Sequence, residues 1–192
     1  NIGILDYDVI ELSNLNRQFL YNPSQTGKLK TEAAKKRILK FNPDINIETF
    51  NTKLNESNYQ SIIEKYDIIV DCFDSFESKF LLNDIAVKTS KTLVHGAVSE
   101  FKGQVMTVIP GSSACLRCII PYADLNEYIT KGVVSPIVSV IASIEALEVM
   151  KLIMGFDGLL TNQLLIFDAL KTEFKKLTAE RNTNCMVCSG EN

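Results

Sequence analysis

Two Cys-x-x-Cys pairs, Cys115-Leu116-Arg117-Cys118 and Cys185-Met186-Val187-Cys188, stand 66 residues apart in a chain of 192. Each pair can present two thiolates to one tetrahedral ion, and two pairs complete a four-cysteine set of the kind that holds zinc. Such a site joins the C-terminal stretch to the middle of the fold. Four protein ligands leave no position for water, so its role is structural. The same spacing also admits a thioredoxin-like redox motif, although that usually comes as one pair, and disulfides, which suit a cytosolic chain poorly. Cys72, the fifth cysteine, falls in the apolar end of a strand and reads as a buried inert thiol.

The length suits one domain, or one domain with a small appendage. Lys and Arg number 20 against 23 Asp and Glu, a net charge of −3. That balance argues against a nucleic-acid partner held by a broad basic field. A single His excludes a three-histidine zinc site and an H-E-x-x-H protease. The opening run Ile2 to Leu5 is cut short by Asp6, unlike a signal peptide. The most apolar stretch, Val133 to Met154, is interrupted by Glu145, Glu148 and Lys151. Its charge-free part, Gly132 to Ile144, is shorter than the roughly 18 residues a bilayer span needs. The chain therefore reads as soluble and cytoplasmic, with no membrane partner.

Ile2 to Leu5 has the pattern of a buried strand delivering Asp6 at its C-terminal end. Helical spacing follows over Leu29 to Phe41, ended by Asn42-Pro43. Ile45 to Phe50 alternates as a strand, and Glu56 to Tyr66 reads as an amphipathic helix. Asp67 to Asp71 is a β-branched strand, Phe76 to Ser90 a helix, and Thr92 to Val98 another strand. This alternation predicts an α/β fold, a Rossmann-like mainly parallel sheet flanked by helices. Later, Gly103 to Ile109, Gln163 to Asp168 and Glu173 to Thr178 read as strands. The last connection is too short for a crossover helix, so an antiparallel pair is expected. Ser135-Pro136 is expected to cap and open a long helix that Gly155 closes. Ala123 to Lys131 is polar and lacks a period, as a loop does.

Ligands of such sheets bind outside the C-terminal ends of the strands, so Asp6 and Asp74 are expected at one crevice. A carboxylate in the position of Asp6 can accept from ribose hydroxyls. Arg17 and Lys30 can neutralise phosphate oxygens, and Asp74 can hold Mg2+. No G-x-G-x-x-G precedes Asp6. Taken singly, each of these charged residues also suits a solvated surface. His95, at a strand end, reads as packed or hydrogen-bonded rather than catalytic. A nicotinamide dehydrogenase is disfavoured for that reason.

The ordered set Asp6-x-Asp8 with Ser13-Asn14-Leu15-Asn16-Arg17-Gln18, Gly27-Lys28-Leu29-Lys30, Asn42-Pro43-Asp44-Ile45 and Asp71-Cys72-Phe73-Asp74 carries a resemblance. Cys115 to Cys118, Gly132 to Pro136, Glu145 to Lys151 and Cys185 to Cys188 complete it. Together these motifs resemble the ThiF/MoeB/HesA family, bacterial relatives of ubiquitin-activating enzymes, over essentially the whole chain. The resemblance implies an enzyme, an adenylyltransferase that spends MgATP to adenylate the C-terminal glycine of a ubiquitin-like sulfur-carrier protein ending in Gly-Gly. Such carriers serve thiamine or molybdopterin synthesis. It implies that Asp6 binds the ribose and that Asn14, Arg17 and Lys30 contact the phosphates. Ser13, Leu15, Asn16 and Ser75 belong to the same nucleotide-binding segments. Asp74 would hold Mg2+, with Arg17, Lys30 and Asp74 the catalytic set, and Cys115, Cys118, Cys185 and Cys188 would hold structural zinc. A homodimer is implied as well.

Three departures from the family pattern matter. The family's Gly-rich βα unit has no counterpart ahead of Asn1, so a single adenylation domain lacking that unit is expected, and a longer protein. Ser75 stands where relatives carry Asn. Tyr128 occupies the place of a reactive Cys in some relatives, which points to sulfur transfer by a separate sulfurtransferase. A non-catalytic, zinc-stapled scaffold is the alternative function.

Overall fold

The computed structural model describes residues 1–120 and 132–189. Ala123 to Lys131, with Tyr128, fall outside the described residues. The chain divides into two compact units, Asn1–Asn58 and Tyr59–Asn192.

In the first unit, β1 (Ile2–Leu5) pairs in parallel with β2 (Ile47–Phe50), Ile2 opposite Ile47 and Leu5 opposite Phe50. Helix α1 (Lys30–Phe41) joins them and buries Ala33 and Ala34. Asn42 ends α1, as the following Pro43 dictates. Between β1 and α1 the chain runs through two single-turn 3-10 segments, Leu12–Asn14 and Pro23–Gln25.

The second unit opens with a short helix α2 (Tyr59–Ile63) and then builds a five-stranded sheet. Its strands are β3 (Ile68–Asp71), β4 (Thr92–Ser99), β5 (Lys102–Val108), β6 (Gln163–Asp168) and β7 (Glu173–Thr178), in that spatial order. β3 and β4 are parallel, bridged by α3 (Phe76–Lys88). The remaining pairs are antiparallel, so the sheet is mixed. β4 and β5 form a tight hairpin in which Glu100 takes φ 51°.

Side chains alternate across this sheet, and register assigns each to a face. Val94, Val105 and Phe167 lie on one face and pack against Ile137 and Ile141 of the long helix that follows, Ser135–Met154. That helix is α5, the four-residue Leu116–Ile119 being α4. Gly103 allows the contact, because a Cβ there would overlap Ile141. On the opposite face, Ala97, Gln104, Ile166 and Lys175 form one cross-strand row. Ser99, Lys102, Asp168 and Glu173 form the next.

Three details depart from expectation. Val134, not Ser135, is the residue before the first turn of α5, and Pro136 still opens the helix. α2 is a single turn and a half, since only Tyr59, Ile62 and Ile63 of Glu56 to Tyr66 find cover. Cys72 is exposed rather than buried: Asp71 takes the inward position at the end of β3, and the next residue turns out. Gly155 closes α5 in the left-handed conformation, φ 66°, as expected.

Candidate nucleotide and metal sites

In the first unit two of the candidate residues, Asp6 and Lys30, meet at the C-terminal end of β1. Asp6 follows the strand directly, and its Oδ1 accepts the backbone N–H of Asp8 at 2.8 Å. Lys30 is the first residue of α1 and is buried. A cation there opposes the helix dipole. Asp8 neutralises it, accepting from Nζ at 2.9 Å, with Asp6 at 3.8 Å. The Asp8 carbonyl also accepts the backbone N–H of Lys30 at 3.1 Å, so strand end and helix start are tied twice. Burial, together with the Asp6 charge, pushes the Tyr21 hydroxyl up to about 12. It stays protonated at any physiological pH.

The Ser13 to Arg17 segment is organised by a capping box, in which Asn14 Oδ1 accepts the Glu11 N–H at 3.1 Å. Ser13 donates its hydroxyl to Glu11 at 3.1 Å. Arg17 is aimed by two acceptors, Asn16 Oδ1 at 2.9 Å and the Ser13 carbonyl at 3.4 Å. Asn16 therefore orients the guanidinium. Leu15 is half-buried, and its N–H closes the turn onto Leu12. Arg17 also lines a shallow depression of about 430 Å³ with Tyr21, Arg37 and Phe41.

In the second unit Asp74 sits exposed on the turn between β3 and α3. Its carboxylate has no hydrogen bond or ion pair among the described residues, which suits a group meant for a cation. Ser75 is committed locally: it caps α3, accepting the Ser78 N–H at 3.2 Å. Asp74 opens onto a groove of about 340 Å³ that runs along the face of the sheet opposite α5, past Lys79, Gln104 and Lys102 toward Asp168 and Lys175.

Beneath this groove lies a buried ionisable cluster that the sequence did not reveal. Asp71 accepts from Lys79 Nζ at 3.2 Å and meets His95 Nδ1 at 2.7 Å. Lys79 also donates to the Gly96 carbonyl at 2.6 Å. Burial works against the Asp71 charge, yet the His95 hydrogen bond and Lys79 outweigh it and hold the carboxyl below its ordinary range. Burial also holds His95 below the ordinary imidazole range, outweighing the hydrogen bond and charge of Asp71, so the ring stays neutral. On α5, two glutamates three residues apart have opposite fates. Glu148 accepts from Thr107 at 2.6 Å and from the Leu160 N–H at 2.8 Å, and pairs with Lys151. Glu145 fits under Gly96, and its Oε1 has no partner among the described residues.

The four paired cysteines converge. Their Sγ atoms lie within 4.8 Å of one another, with neighbouring pairs at 3.3–3.9 Å. Tetrahedral Zn–S bonds of about 2.3 Å place sulfurs roughly 3.8 Å apart. The first pair is pinned by Asn83 Oδ1, which accepts the Leu116 N–H at 2.9 Å, and by Arg117 bridging to Asp84 at 2.8 Å. The second is drawn in by Arg181, which donates to the Gly111 carbonyl at 3.0 Å, and by the Asn182 N–H on Cys118 Sγ at 3.4 Å.

The ThiF family model matches residues 1–187. The chain belongs to the ThiF family. Among ThiF-family proteins it is 38% identical to the adenylyltransferase and sulfurtransferase MOCS3 of Culex quinquefasciatus, over 98% of this chain and 44% of that protein. It is 35% identical to the sulfur carrier protein adenylyltransferase of Thermus thermophilus, over 99% of this chain and 73% of that one. The crystal structure of E. coli MccB with ATP superposes with a TM-score of 0.85 at 22% identity, covering 98% of this chain and 59% of MccB. The chain thus spans less than half the length of the MOCS3 proteins it matches. No helix among the described residues is long and apolar enough to cross a membrane.

Proposed function

We propose that this chain adenylates the C-terminal glycine of a ubiquitin-like sulfur-carrier protein at the expense of ATP. The observation that carries the reading is its 35% identity with a sulfur carrier protein adenylyltransferase of which it covers 73%. The chemistry agrees with the side chains on hand. A glycine carboxylate attacks the α-phosphorus of ATP, pyrophosphate leaves, and an acyl-adenylate forms. The nucleophile is already ionised, so the reaction needs positioning and charge neutralisation more than a general base. Lys30 and Arg17 supply cations to the phosphates, with Ser13 to Asn16 framing Arg17. Asp6 accepts from the ribose.

Asp74, free of partners among the described residues, is assigned to Mg2+, which when bound would offset the negative charge of the phosphates. Cys115, Cys118, Cys185 and Cys188 are assigned to zinc as a structural tie. Ser75 acts through α3, by fixing the turn that carries Asp74. We further propose a homodimer in the cytoplasm, supplied with sulfur by a separate sulfurtransferase. Service to thiamine or molybdopterin synthesis follows from whichever carrier docks.

Pyrophosphate exchange with ATP and purified Gly-Gly carriers tests the reading. Exchange is expected with one carrier, and Asp74→Ala should reduce it at least roughly 100-fold. An unchanged rate in Asp74→Ala would remove Asp74 from the Mg2+ role. Retained zinc and ATP binding without exchange on any carrier would favour the scaffold alternative.

A further inference from the structure

Gln104 reaches the groove from β5 with Ala97 and Ile166 as its cross-strand neighbours and Lys175 next in the row beyond Ile166. Its side-chain amide is not free to turn. The Nε2 end lies 3.2 Å from His95 Nε2, and His95 Nδ1 lies 2.7 Å from Asp71 Oδ2. Asp71 and His95 are both fully buried. Asp71 also receives the Lys79 ammonium and the Phe73 N–H at 3.1 Å, so it is an ionised, acceptor-only group. His95 Nδ1 must therefore carry the ring proton that Asp71 accepts. In a neutral ring that leaves a lone pair on Nε2, which only a hydrogen-bond donor can satisfy. Gln104 must present its NH2 inward, and its carbonyl oxygen points the other way.

We propose that Asp71 and His95 act as a tautomer lock that makes Gln104 offer a carbonyl oxygen to the groove, where it accepts a backbone N–H from the extended C-terminal end of the carrier. The rest of its row explains why an acceptor there is a selective feature. Ala97 and Ile166 provide no polar atom, and Lys175 is already directed to Glu173 at 3.4 Å. An extended peptide in this groove has one side-chain acceptor in that row to register against. Gln104 is then a recognition residue, and Asp71 and His95 are positioning residues that act through it. The proposal rests on the carrier reading above.

The single histidine makes the first half directly readable. Long-range 1H–15N correlation spectra of the intact protein should show one neutral imidazole protonated at Nδ1, the rarer tautomer. An Nε2–H or imidazolium pattern would overturn the lock. The second half is read with carriers whose last three backbone amides are replaced one at a time by esters, which deletes an N–H. One ester should lower kcat/KM for pyrophosphate exchange roughly tenfold in the wild type and leave Gln104→Met, already weakened by a similar factor, unaffected. Equal ester sensitivity in both proteins would overturn the contact. Gln104→Glu cannot donate to Nε2 and should shift His95 to the protonated pattern; an unchanged ring spectrum would count against the lock. Absent exchange with every all-amide carrier would instead bring down the carrier reading and the Gln104 contact with it, while the ring spectrum still decides the lock.

Discussion

Lys30 and Glu145 show how burial makes a charged side chain informative. Lys30 is held by Asp8 and Asp6, both partly open to water, so its ion pairs contribute little to folding. Lys30→Met is expected to lower stability by only about 1 kcal/mol while reducing adenylation roughly 100-fold or more, as urea unfolding beside pyrophosphate exchange would show. Glu145 is the opposite case. Burial raises its carboxyl to about 8, an effect that Lys79 moderates and Asp71 reinforces, against 4.5 for the free group. Between those values the native protein keeps a proton that the unfolded chain has released. The group's contribution is therefore complete below pH 4.5 and is lost as pH rises through about 8, at no more than about 1.4 kcal/mol per pH unit. Glu145→Gln has no such proton. Urea midpoints should favour the variant increasingly from about pH 5 to about pH 8.5, and a gap constant with pH would contradict the orphaned acid. The convergence of the four cysteines was legible in the sequence, because ligand spacing within each pair is local. The burial of Lys79 and Glu145 was not legible, since both are set by long-range packing under Gly96.

At the level of elements, the α5–sheet contact depends on glycines placed where a methyl group has no room. Gly103→Ala pushes a Cβ into Ile141 and is expected to cost about 1–3 kcal/mol. Ile141→Ala opens space for that methyl, so the double variant should be more stable than the summed single losses predict; strict additivity in a double-mutant cycle would sink the contact. Periodicity found α1, α3, α5 and the last hairpin because each pairs a clear apolar pattern with a stop signal. It overextended α2, whose flanking turns have polar residues and no surface to cover. It also placed the helix cap on Ser135, one residue late, since a Ser next to Pro satisfies the same sequence rule in either position. The Ser75 cap on α3 was hidden for the converse reason, as its place in a functional motif suggested a ligand instead of a backbone N–H.

For the whole second unit, the cysteine cluster links Cys115 and Cys118, beside α3, to the segment beyond β7. Strong chelation is expected to lower the melting temperature and to make the 181–189 stretch the first site of limited proteolysis, with the far-ultraviolet circular dichroism largely kept. Cys188→Ser should do the same without chelator. Protection unaltered by both treatments would show that Arg181 and Asn182 suffice to hold the segment. The alternation of β4, β5 and β6 has a consequence of another kind. Val94, Val105 and Phe167 answer to the helix behind them, whereas Ala97, Gln104 and Ile166 answer to whatever lies in front. Contacts with α5 and the lining of the groove thus fall on interleaved positions of the same strands. Lys102 and Gln104 of β5 with Ile166 and Asp168 of β6 can therefore change without touching the packing against α5, a freedom that ends where Met106 and Val108, further along the same face of β5, are fully buried.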